Sequence, residues 1–69
     1  MRGADVITGS ERFGKYLRRL REGRHLSLEK VEELSHDHPE RVTRSHLSRV
    51  ENGGSLPTLP RLMTLSRLY

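Results

Sequence analysis

The sequence predicts an all-α fold, on three observations. Apolar residues recur at helical spacing near the N-terminus, where Phe13, Leu17 and Leu20 share one side with Tyr16 beside them. Hydroxyl residues at Ser27, Thr43 and Thr58 stand just before helix-forming runs, where a side-chain oxygen can accept the free N–H groups of a first turn. Gly23 and Gly53 stand where such helices would stop. The chain of 69 residues is one small domain. Folding at this size buries only roughly 60% of the surface the unfolded form exposes, so its stability should be marginal.

Taken in order, Met1 to Ile7 has no periodicity, and residues 1–8 are expected to form a loose arm ahead of a folded domain over residues 9–69. Arg2 on that arm could touch a phosphate if a duplex lay close. Thr8-Gly9-Ser10-Glu11 has the T-x-x-E form of a capping box, with Ser10 as a competing cap. A first helix should therefore run to Gly23, its core side carried by Phe13, Leu17 and Leu20 and its outer side by Lys15, Arg18, Arg19 and Glu22. Leu26 and Val31 can staple across the Ser27 cap. The second helix, from about Leu28 to Ser35, is expected to bury Val31, Leu34 and Ser35. Pro39 biases His38 away from helical geometry, so residues 36–42 read as a connecting loop.

Thr43 to Gly53 reads as a short helix with both ends marked, and Val42 can pack on Leu47 to fix the entry of the chain. At about 100° per residue, Leu47, Val50 and Glu51 fall on one side, and Ser45, Ser48, Arg49 and Asn52 on the other. Such a helix is held firmly while it shows polar and cationic tips outward. Glu51 lies on the inward side, where a lone carboxylate would be costly, so it requires a partner. Gly54-Ser55-Leu56-Pro57 is turn chemistry, and Thr58 caps a last helix that tolerates Pro60 in its first turn. Leu59, Leu62, Met63 and Ser66 give one stripe, which Leu65, Leu68 and Tyr69 widen. A dimer partner or further chain would cover the excess.

Composition removes several classes of function. With no cysteine, disulfides and thiolate metal sites are excluded, which fits a reducing compartment. No apolar run approaches a membrane span or the core of a signal peptide, so a cytoplasmic protein with no membrane partner is expected. The 13 Lys+Arg against 9 Asp+Glu give +4, a modest hint of a polyanionic partner. One Phe, two Tyr and no Trp argue against stacking platforms for single strands. His36, Asp37, His38 and His46 lack the spacing of a closed metal site, so neither a metal nor another cofactor is expected. Nor is an enzyme: there is no glycine-rich phosphate loop after a strand, and Ser, His and Asp fall in capping and loop roles.

Two short capped helices joined by a loop, the second with a polar outer face, form a helix-turn-helix. The segments from Phe13-Gly14 to Leu20-Arg21-Glu22, Leu26 to Val31, Thr43 to Gly53, and Pro57-Thr58-Leu59 resemble the Cro/repressor-type helix-turn-helix family, also called XRE. The likeness covers roughly residues 11–69. It implies a compact lambda-repressor-like helical bundle, usually of five helices, that binds double-stranded operator DNA as a homodimer and regulates transcription. Four helices are legible here, and the sequence stops about where a fifth would follow. Carried over by position, Arg44, Ser45 and Arg49 would reach base edges, while Ser27, Arg41, Thr43, His46 and Asn52 would meet the phosphate backbone. The resemblance also implies an Arg21–Glu51 ion pair.

Chemistry supports those roles. An arginine fork matches guanine O6 and N7, each such contact giving about 1–3 kcal/mol of base discrimination, whereas Ser45 would specify weakly. Three departures from the family pattern stand out: the long loop over residues 36–42, Leu28 where a polar residue often holds a phosphate, and Gly54-Ser55 where basic residues often touch the backbone. The main alternative is a helical protein-interaction module, such as an antitoxin-like subunit or a docking domain, using the broad apolar last helix.

Overall fold

The computed structural model describes residues 9–69, which form four helices: α1 (Gly9–Gly23), α2 (Leu28–Ser35), α3 (Arg44–Glu51) and α4 (Leu59–Leu68). Among the described residues there is no strand, and the fold is an all-α helix-turn-helix with α2 and α3 as the motif. The expected N-terminal arm, with Arg2 and the cap residue Thr8, lies outside the described residues.

Local chemistry sets the helix starts. Ser27 Oγ accepts the Lys30 N–H at 3.0 Å, Thr43 Oγ1 that of His46 at 3.2 Å, and Thr58 Oγ1 that of Arg61 at 3.4 Å. The stops are built alike but from different residues. At the end of α3, Gly53 is left-handed (φ 82°) and donates to the Val50 carbonyl at 3.0 Å, while Gly54 donates to that of Arg49 at 2.9 Å. After α1 the left-handed residue is His25 (φ 58°), two positions beyond Gly23, with His25 donating to Glu22 and Leu26 to Arg21. Gly23 ends the helix without supplying the reversal.

Leu17, Val31, Val42, Leu47, Val50 and Leu65 make the core, with α1 packed on α3 and α2 packed on both α3 and α4. Burial of Val42 and Leu47 agrees with the expected staple. Where α1 meets the end of α3 the backbones nearly touch. A Cβ on Gly14 would fall on the Val50 carbonyl oxygen and lie 2.7 Å from that of Glu51, so this crossing admits only glycine without movement.

The expected core needs three corrections. Leu34 is exposed, because the buried side of α2 centres on Val31 and Ser35, four residues apart, and Leu34 falls at its margin. Leu20 is also exposed, at the rim of an apolar groove of about 300 Å³ between α1 and α4. In α4 the buried residues are Thr64 and Leu65, and the stripe expected to face inward leaves Leu59 and Met63 in solvent. The reason is a hydrogen bond. Thr64 Oγ1 donates to the Glu40 carbonyl at 3.0 Å, which fixes the rotation of the helix against the long loop.

That loop is pinned at its base. Ser35 is fully buried, and its hydroxyl donates to the Glu32 carbonyl at 2.8 Å and accepts the Val42 N–H at 3.0 Å. Residues 36–41 therefore leave and return at one closed point between α2 and α3.

Candidate nucleic-acid interface

The site is built outward from a buried ion pair. Arg21 Nε donates to Glu51 Oε2 at 2.7 Å and Nη2 to Oε1 at 3.0 Å, a bidentate contact between side chains only 10% and 6% exposed. The remaining Nη1 donates to the Leu26 carbonyl at 2.7 Å, so one guanidinium ties α1, the turn after it and the end of α3 together. The hydrogen bond to Glu51 raises the arginine's affinity for its proton against the opposing effect of burial. Close by, burial pushes the Tyr69 phenol well above the ordinary tyrosine range.

With Leu47, Val50 and Glu51 buried, α3 turns its other side outward. Arg44, Ser45 and Arg49 are all exposed there, as the sequence places them. Among the described residues the Arg49 guanidinium has no ion-pair or hydrogen-bond partner, and its stem rests beside Gly54. Arg44 is engaged at the surface, its Nη1 3.5 Å from Glu29 Oε2. Arg41 lies 3.9 Å from Glu32 Oε2, and the other oxygen of Glu32 accepts the Arg44 backbone N–H at 3.2 Å. Two carboxylates of α2 thus sit at the start of α3.

The backbone-facing candidates divide by what they have left to offer. Ser27 and Thr43 are exposed, and a hydroxyl that accepts a capping N–H still holds a hydrogen to donate outward. The Asn52 backbone N–H is already given to the Ser48 carbonyl, so only its exposed side chain is available. His46 is half-buried, and its Nε2 has no hydrogen-bond partner. Burial, then Arg61 and Arg49, lowers its affinity for a proton.

Arg61 is a residue the sequence reading passed over. It stands at the third position of α4, where helices favour a carboxylate over a cation, and that mismatch with the helix dipole was the available signal. The fold brings it within electrostatic reach of His46, which also feels Arg49, so α4 adds a cation beside the α3 histidine. Glu29 and Glu32 also come from outside α3. Among the described residues, no group of three or more His, Asp and Glu side chains is placed to hold a metal ion. No helix there is long and apolar enough to cross a membrane.

A family model described as a helix-turn-helix domain matches residues 12–69. The chain belongs to this helix-turn-helix family. No curated protein and no solved structure gives a match. The matched span includes all of α2, α3 and α4, so the helix-turn-helix assignment covers the exposed arginines and the ion pair beneath them.

Proposed function

We propose that this helix-turn-helix domain is a sequence-specific DNA-binding regulator of transcription that acts as a homodimer and lays α3 in the major groove of double-stranded DNA. The observation that carries this reading is the Arg49 side chain: exposed and unpartnered among the described residues, on a helix whose opposite side is locked into the core. Arg49 and Arg44 read base edges, with Ser45 between them making weaker contacts. Arg44 must first release Glu29, and an exposed pair of this kind holds it by only about 0–1 kcal/mol. Ser27, Arg41, Thr43, His46 and the Asn52 side chain meet phosphates and set the register.

Titration of duplex DNA over a range of salt tests the reading. Affinity should fall steeply as salt rises, because phosphate neutralisation releases counterions. Arg49→Ala should weaken binding by about 1–3 kcal/mol on a preferred sequence if it reads a base, or uniformly with a shallower salt slope if it contacts the backbone. Affinity indifferent to both salt and Arg49 would refute DNA binding through α3. A second reading, a helical protein-interaction module, is favoured by the exposed apolar residues Leu59 and Met63; its binding would respond little to salt.

A further inference from the structure

We propose that Glu29 is a specificity-determining residue, a positioning group that keeps Arg44 off phosphates so that this arginine engages a duplex only through bases. The inference rests on the DNA-binding reading and concerns the start of α3, where charge is distributed differently from its end. At the end, the Arg49 guanidinium has no ion-pair or hydrogen-bond partner among the described residues. At the start, two arginines stand against two carboxylates of α2. Glu29 Oε2 lies 3.5 Å from Arg44 Nη1, with the two side chains 67% and 61% exposed. Glu32 Oε1 accepts the Arg44 backbone N–H at 3.2 Å, and its Oε2 lies 3.9 Å from Arg41 Nη2.

Carboxylates on a surface that meets a polyanion carry a cost, and here that cost discriminates. A free N–H at a helix start is an ordinary seat for a phosphate, but the Arg44 N–H is already given to Glu32. A phosphate approaching the Arg44 guanidinium would also set its own charge against Glu29, and like charges brought together in this way reject the contact. Guanine O6 and N7 are uncharged acceptors, which take an arginine fork without that repulsion. On arbitrary sequence Arg44 therefore stays with Glu29 and adds little to affinity. Where a guanine is in reach, it exchanges one exposed partner, weakly held, for two acceptors. Glu29 also stands in the first turn of α2, where an acid favours the helix, but that effect does not involve Arg44.

Titration of the whole chain with a randomised duplex pool, and with the duplex that wild type enriches from that pool, tests the inference. Glu29→Gln should bind the randomised pool at least about threefold more tightly at ~50 mM salt, and log affinity should fall with log salt by about 0.9 more per decade, as one added phosphate contact requires. The enriched duplex should gain less, so the ratio of the two affinities should fall. In an Arg44→Ala background the gain on the pool should vanish, because Glu29 acts through that arginine. Glu22→Gln, which removes the same charge and frees Arg18 on α1, should change pool affinity by less than about twofold. No gain on the pool, a gain that survives Arg44→Ala, an equal gain from Glu22→Gln, or an enriched duplex that gains as much would each overturn the proposal. Duplex affinity indifferent to salt and to Arg49→Ala would instead remove the DNA reading itself, whereas those two effects without any response to Glu29→Gln would remove this inference alone.

Discussion

At the scale of single residues, the Arg21–Glu51 pair decides whether α3 is held at all. Both side chains are almost fully buried, and removing one leaves the other without its counter-charge. Arg21→Ala should therefore lower unfolding free energy by about 3–5 kcal/mol, far more than any exposed pair such as Arg18–Glu22 could account for. Urea denaturation measures it; a variant within about 0.5 kcal/mol of wild type, the usual range for a neutral surface change, would show the pair to be unimportant. His46 carries the second residue-level expectation. Its proton affinity in the folded state is depressed below the ordinary value of 6.5, so it binds a proton more readily when the chain is unfolded. Its contribution to stability is thus complete above pH 6.5 and is lost as pH falls through the folded value. Melting temperature should decline with acidification below that point, and His46→Asn should flatten the decline. Parallel profiles for the two proteins would remove His46 as the cause.

At the scale of the element, the starts of helices are local events and the sequence states them openly. A hydroxyl at Ser27, Thr43 or Thr58 needs only the N–H three residues ahead, so its role can be read without knowing the fold. The same holds for Gly53, and for the outward turn of Arg44, Ser45 and Arg49 that follows from the helical period. What escapes a local reading is whatever another element decides. The rotation of α4 depends on Thr64 meeting a loop carbonyl that precedes it by 24 residues, and so Leu59 and Met63 look like core until that bond is known. The approach of Arg61 to His46, and the reach of Glu29 and Glu32 toward Arg44 and Arg41, likewise depend on packing. Gly14 is the sharpest case. Inside a helix glycine costs stability, which only the close approach of α3 explains. Gly14→Ala, which should stabilise an isolated helix, should here destabilise the domain by about 1–3 kcal/mol, as overpacking does. Chemical denaturation reads the sign directly. A stabilised variant would mean that α1 and α3 are not so closely apposed.

At the scale of the whole molecule, the two faces of the domain divide the work. A pinned loop, a bidentate ion pair and a glycine crossing clamp the inner side of α3. Its outer side is left to arginines and hydroxyls, and the apolar excess is carried away from it on α4. The scaffold therefore holds the inner side of α3 while leaving its polar side exposed, as the proposed reading of a groove requires. The measurement closest to that claim is amide chemical-shift mapping by NMR as a short duplex is added at low salt. The largest changes should fall on Ser27 and on residues 43–52, with smaller ones near Arg61 and little on Met63. Changes centred on Leu59 and Met63, with Ser45 and Arg49 unmoved, would contradict the account.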